Sequence, residues 1–351
     1  QRGQGAEPLA GCGAEPHGLR RCLCRMMHTI EEIRGFIDRY QNFYVLGHAN
    51  PDGDCLGASF GIGMALRKMG KNVRVLVESH HSKYNLIPGR ELIYSGELDV
   101  KNFAVICLDC ADVKRLEPHL QKMATDLPSL CIDHHYSNVG FMDYNFVDGM
   151  ASSSCEMVFN LLNGFVELDK DIATALYAGM VSDTGGFRHA TTTDKTMRIA
   201  GVLTKLGVSF TEIYTEIMLL RTYTEVKLLA RILEACKRCD EFRIVHVCVT
   251  TDMFKNFDGT PDATKQNLDG MIEHLLNIRR ATVALLIYER GDGEVKISMR
   301  SKKINVGAIA AHFGGGGHKL AAGATVKGDI FEVESQVLPL LQEALKPYTK
   351  A

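Results

Sequence analysis

Neither sign of charge dominates this chain. Across 351 residues, 40 Lys and Arg stand against 42 Asp and Glu, a formal net charge of −2. That balance supplies no whole-molecule field to hold a long polyanion, so a long nucleic-acid duplex is not the expected partner. Long apolar runs are also missing. No stretch reaches the roughly 18 residues that a membrane-spanning helix needs, and no membrane role is expected. There is no internal repeat of fixed period. The GxxxxGK[ST] pattern of a Walker A loop does not occur. Eleven cysteines are too few for a disulfide scaffold of this length. Cys107, Cys131, Cys155 and Cys248 lie in apolar runs and read as buried thiols in a reducing, cytoplasmic compartment. The pairs Cys107–Cys110 and Cys236–Cys239 have half the spacing of a zinc knuckle but sit in strand-like and helix-flanking sequence, and read as coincidence.

What remains is an ordinary globular composition, 46% hydrophobic and 23% charged, with length for two or three domains. Residues 1–27 lack any period and read as a disordered or non-native extension. Thr29 and Glu32 form a capping box for a helix through Tyr40. A βα rhythm follows: strand Phe43–Gly47, helix Leu56–Met69, strand Asn72–Glu78, then buried strands at Lys101–Asp109 and Leu130–Asp133. Continuous apolar strands of this kind predict an α/β fold with a mostly parallel sheet covered by helices on both faces. Residues 28–190 form this first domain, 191–240 a helical connector, and 241–346 a smaller α/β domain facing it across a central cleft. In the second domain, strands at Phe242–Thr250, Ala281–Glu289 and Glu294–Arg300 are expected beside helices at Asp262–Leu276 and Val306–His312.

The acids lie at strand ends. In LGHANPDGDCLG, His48, Asp52 and Asp54 crowd one turn without a basic neighbour, and such carboxylates repel unless a cation sits between them. The same residues could instead cap the following helix. Asp109 ends a second strand, Asp133, His134 and His135 a third, and Asp183 follows a helix. One parallel sheet can bring these ends to one edge. Five carboxylates and three imidazoles exceed the need of one ion and suit two, roughly 3.5–4 Å apart. In the second domain, Gly314–Gly317 can turn backbone N–H groups toward an anion, with Lys319–Ala322 opening a helix. The segment KISMRSKK, Lys296 to Lys303, is the densest basic patch, where Arg300 can grip a terminal phosphate and Ser301 donate to it. Arg188 and His189 can line the cleft.

HANPDGDCLG, LDC, DHH, SDTGGF and GGGGHKLAAG, in that order, resemble the DHH/DHHA1 phosphoesterases, and within them the bifunctional oligoribonucleases and 3',5'-bisphosphate nucleotide (pAp) phosphatases. The resemblance implies one Mn²⁺ on His48, Asp52 and Asp109 and a second on Asp54, Asp109, His134 and Asp183, with Asp109 bridging; Mg²⁺ or Co²⁺ would suit the same donors. It implies catalytic or substrate-side roles for Asp133 and His135, with Asp133 orienting a ligating histidine. His318, with Arg300 and Ser301, resembles the family's nucleotide clamp, while Gly315, Gly316 and Arg188 are candidate phosphate contacts on the reading of the residues alone. The implied substrates are short RNA oligonucleotides and pAp, with cyclic or linear dinucleotides as the alternative and a homodimer among the family's precedents. The departure is Cys55 beside Asp54, which exposes the loop to oxidation or a soft metal.

Overall fold

The computed structural model describes residues 27–77, 80–255, 263–268 and 270–349. The extension read at 1–27 therefore lies outside them except for Met27. Helix α1, Ile30–Arg39, begins at Thr29 with the expected capping box to Glu32 and buries Ile33, Phe36 and Ile37. The chain continues through β1 (Asn42–Leu46), α2 (Gly53–Lys68), β2 (Asn72–Leu76), β3 (Phe103–Leu108), α3 (Pro118–Asp126), β4 (Ser129–Asp133) and β5 (Tyr144–Val147). Helices α4 (Ser154–Leu162) and α5 (Lys170–Asp183) complete the layer beside α2. All four strand pairings are parallel, in the order β2-β1-β3-β4-β5. Strands β3 and β4 are buried along their whole length, which their unbroken apolar sequence dictates. Strand β5 has no counterpart in the sequence reading, because YNFV mixes polar and apolar positions in a short edge strand.

The chain runs from β1 outward to β2 and then returns to β3 on the other side of β1. That reversal opens a crevice at the carboxyl ends of β1 and β3, where open α/β sheets hold ligands. Two glycines set the helix spacing behind it. A Cβ on Gly57 of α2 would come within 2.4 Å of the Ala175 carbonyl of α5, and one on Gly179 within 2.2 Å of Cys155 Sγ of α4. Their absence lets the three helices close up, and the first turn of α2 thereby meets the last turn of α5.

Helices α6 (Asp194–Lys205), α7 (Phe210–Tyr214) and α8 (Tyr223–Ala235) occupy the stretch read as a connecting arm. Ile199, Leu203, Ile213 and Ile217 pack into the first core, whereas Leu228 and Ile232 pack into the second. Helical periodicity reported the apolar faces but not which core each would join.

The second lobe comprises β6 (Lys237–Cys239), β7 (Ile244–Val249), α9 (Met271–Leu276), β8 (Val283–Gly291), β9 (Glu294–Ser301), α10 (Val306–His312), β10 (Gly316–Gly317), β11 (Ala321–Lys327) and α11 (Ile330–Thr349). Its six strands run in the order β10-β11-β9-β8-β7-β6, antiparallel except between β7 and β8. Alternation along β8 builds two cores: Val283, Leu285 and Ile287 face α10 and α11, while Ala284 and Leu286 face α8 and α9. The helix expected to open at Lys319 is instead a hairpin, with Gly316 and Gly317 paired to Gly323 and Ala322. A Cβ on Gly317 would lie 2.6 Å from the Ala321 carbonyl, so the glycines serve close strand approach as well as exposure. No helix among the described residues is long and apolar enough to cross a membrane.

Candidate metal centre and interlobe cleft

His48 follows β1, Asp109 follows β3, and Asp133, His134 and His135 end β4. Asp109 adopts a left-handed backbone, φ 54°, a conformation that aspartate tolerates better than most residues and that turns its carboxylate into the crevice. Asp52 is the N-cap of α2. Its Oδ1 accepts from the N–H of Asp54 at 3.0 Å and of Cys55 at 3.1 Å, and among the described residues no donor bonds to Oδ2. Capping and ligation, set against each other in the sequence, are thus compatible on one carboxylate.

Among the described residues His48, Asp52 and Asp109 make one potential ligand cluster and Asp54, His134 and Asp183 a second, while a third group, Asp109, His134 and His135, overlaps both. His48 Nε2 lies 3.4 Å from Asp109 Oδ2 and 4.0 Å from Asp52 Oδ1. His134 Nε2 lies 3.6 Å from Asp109 Oδ1, 3.6 Å from Asp183 Oδ2 and 3.9 Å from Asp54 Oδ2. Asp109 therefore stands between the clusters, offering one oxygen to each side. His48 Nδ1–H donates to Ala49 O at 2.9 Å, which leaves the Nε2 lone pair buried and without a hydrogen-bond partner. An orphaned buried nitrogen aimed at two carboxylates fits a divalent cation. His134 is oriented in the same way by Ala151 O, 3.3 Å from Nδ1.

Without ions the charges strain one another. Burial disfavours the His48 and His134 imidazolium forms, but neighbouring aspartates outweigh it and raise both to about 9, through Asp109 and Asp52 for His48 and Asp183, Asp109 and Asp54 for His134. Burial, then Asp109, raises Asp54 to about 7. Burial also pushes Asp183 well above the carboxylate range. For Asp109 burial is overcome by His48, His134 and His135, which hold it well below that range.

The support comes from the N-terminus of α4. Ser154 N–H and Cys155 N–H donate to Asp54 at 2.6 and 2.9 Å, and Ser154 Oγ donates to Asp109 Oδ1 at 3.1 Å. In sequence this segment reads as a serine-rich helix start, and only the fold carries it to the acids. Cys55 packs beneath Gly47, and burial raises its thiol well above the ordinary range, so it stays protonated.

Asp133 Oδ1 accepts from His135 Nδ1 at 2.7 Å and its Oδ2 from Asn138 Nδ2 at 2.7 Å, so the histidine it orients is His135. Adjacent residues on an extended chain point apart, and the side chain of residue 133 falls on the same side as that of 135. Across the cleft, the His318 ring stacks on that of His135, centroids 4.7 Å apart and planes 15° apart. Burial and the His135 and His134 rings lower His318 to about 4.

The other clamp candidates divide. Gly316 is exposed, whereas a Cβ on Gly315 would lie 2.2 Å from the Gly323 carbonyl. Ser301 is buried, and its Oγ accepts from the N–H groups of Lys303 and Ile304 at 3.0 and 2.9 Å, so it caps a turn. Arg300 Nε donates to Glu273 Oε1 at 2.9 Å, and Arg188 Nη2 lies 3.9 Å from Glu273 Oε2. Glu273, which no sequence pattern marks, thus joins the two lobes.

Residues 42–180 match the model of the DHH family, N-terminal domain, and residues 245–350 that of the DHHA1 domain. The chain belongs to the DHH/DHHA1 phosphoesterase family. It is 29% identical over 307 residues to the bifunctional oligoribonuclease and PAP phosphatase NrnA of Thermus thermophilus, covering 86% of this chain and 90% of that protein. To the NrnA of Bacillus subtilis it is 27% identical over 304 residues, covering 84% and 92%. The fold resembles an exopolyphosphatase-related protein from Bacteroides fragilis, TM-score 0.82 at 24% identity over 92% of this chain and 97% of that one. It also resembles RecJ of Thermus thermophilus in complex with Mn²⁺, TM-score 0.51 at 13% identity over 91% and 54%. This DHH/DHHA1 chain is a metal-dependent phosphoesterase, with paired clusters suited to two divalent ions.

Proposed function

We propose that this phosphoesterase hydrolyses very short oligoribonucleotides to mononucleotides and removes the 3'-phosphate from pAp. The observation that carries the reading is the double cluster around Asp109, capped from the second lobe by His318 stacked on His135. The NrnA relatives, which align over most of both chains, supply the substrate class. His48, Asp52 and Asp109 would hold one ion, and Asp54, Asp109, His134 and Asp183 the other, with Mn²⁺ the first choice for such mixed oxygen and nitrogen donors. When bound, two such ions supply an acidified water and offset charge on the phosphoryl oxygens.

The protein's own groups do the rest. Asp109, turned by its left-handed backbone, presents an oxygen to each cluster. Asp133 holds His135 in one orientation beside the centre, where it meets the substrate. His318, Gly316 and Arg300 form the second-lobe grip, and a grip so near the centre favours very short substrates. The buried free thiols fit action in a reducing, cytoplasmic setting.

Product analysis tests this with Mn²⁺-loaded protein given a 5'-phosphorylated diribonucleotide, pAp, cyclic di-AMP and pyrophosphate. Mononucleotides from the first and phosphate from pAp, both lost in Asp109→Ala, are expected. Preference for cyclic di-AMP would move the function to cyclic dinucleotide turnover, and cleavage of pyrophosphate alone would overturn the nucleotide reading.

A further inference from the structure

Arg115 belongs to none of the motifs that mark the site, yet it touches the centre. It ends a short turn, Val113–Arg115, whose start is capped by Asp112. Its carbonyl accepts from Ala49 N–H at 2.8 Å, which ties the turn to the loop carrying His48. Leu116 beside it is buried and anchors the segment. From this fixed backbone the exposed side chain reaches inward, and its Nη1 donates to His135 Nε2 at 2.9 Å.

Two facts make this contact unlike a structural one. First, among the described residues no carboxylate forms an ion pair with Arg115. Its acceptor is the lone pair of a histidine whose Nδ1–H already faces Asp133. A neutral ring nitrogen is a weak partner for a guanidinium, and a phosphoryl oxygen in the cleft would be a stronger one. Second, the charge of the centre calls for a further cation. Four aspartates, at positions 52, 54, 109 and 183, balance two divalent ions, so a loaded centre has no excess positive charge for an incoming phosphate.

We propose that Arg115 is a catalytic residue that binds a non-bridging oxygen of the scissile phosphoryl group, leaving His135 Nε2 to do so. The inference rests on the two-ion reading of the centre. Arg115 transfers no proton; it remains a guanidinium and offsets charge that grows as the leaving ribose oxygen departs. His135, held by Asp133, parks the guanidinium at the centre before substrate arrives.

The test uses full-length protein with Arg115→Ala and Arg115→Lys, read in three ways. Steady-state kinetics on pAp and the diribonucleotide should show kcat/KM down about a hundredfold in Arg115→Ala, the usual effect of losing one preorganised donor, with partial recovery in Arg115→Lys. Mn²⁺ affinity should match the wild type, because the Arg115 side chain contacts His135 Nε2 and none of the six side chains assigned to the two ions. Inorganic phosphate titrated into the Mn²⁺-loaded protein should bind at least tenfold more weakly to Arg115→Ala, by about the contribution of one charge-assisted hydrogen bond. Wild-type kcat/KM and phosphate affinity in Arg115→Ala would overturn the proposal, as would a loss that follows lost Mn²⁺ binding. If the wild type cleaves neither substrate while Arg115→Ala still weakens phosphate binding, the proposed substrates are wrong and the role of Arg115 stands.

Discussion

Ser154→Ala isolates the support of the bridging carboxylate. Ser154 is fully buried, and its Oγ–H on Asp109 Oδ1 is a charge-assisted hydrogen bond of 3.1 Å. Bonds of this kind contribute about 1.5–3 kcal/mol. Alanine removes only this bond; the backbone N–H groups of residues 154 and 155 still hold Asp54. Asp109 would then lose the group that keeps one oxygen directed at His134. Loss of such an outer partner typically weakens metal binding about 10–100-fold, in line with the energy of the bond. Calorimetric titration of Mn²⁺ into metal-free protein should therefore show that loss, and far-ultraviolet circular dichroism should show an unchanged fold. Ser154→Thr, which keeps the hydroxyl, should recover much of the affinity. Mn²⁺ affinity within twofold of wild type in Ser154→Ala would refute the argument that α4 positions the centre.

Three further outcomes follow from the same geometry. His48 and His134 are raised to about 9 and must lose protons to bind metal, so apparent Mn²⁺ affinity should climb from pH 6 to pH 9 with proton release seen in buffers of different ionisation enthalpy; a flat profile would contradict the pairing. In the metal-free protein the sign reverses. Folded-state values above the ordinary histidine value of about 6.5 contribute stability below that pH that is lost as pH rises through about 9, so the melting temperature with chelator should fall over this window. Gly57→Ala should destabilise the first lobe by about 1–3 kcal/mol and weaken Mn²⁺ binding, because the added Cβ meets the rigid Ala175 carbonyl and pushes α2 from α5. Unchanged melting and affinity would show that the helices are not held at that spacing.

Much of the first lobe was legible because its signals are local. Thr29 and Glu32 announce α1, and FAVICL announces a strand buried on both faces. The acids and histidines could be placed at strand ends, and a parallel sheet admits few ways to arrange those ends. The second lobe was less legible at GGGGHKLAAG, where glycine permits both an anion-facing turn and the close hairpin that forms. The helical stretch after Thr193 carried apolar faces without saying which core would receive them.

By itself, then, the sequence determined the α/β class, the two-lobe order and the set of metal-binding candidates, since strand periodicity, capping and charge crowding all act over a few residues. Tertiary structure decided which partners those residues keep. It gave Asp133 to His135, Ser154 to Asp109, Arg300 to Glu273, and Arg115 to the ring beside the centre. All but the first of those pairings join segments from different elements. Their geometry depends on the strand order and on helices brought close by Gly57 and Gly179, and the second lobe closing over the first adds His318 to His135; none of this is encoded by a local pattern.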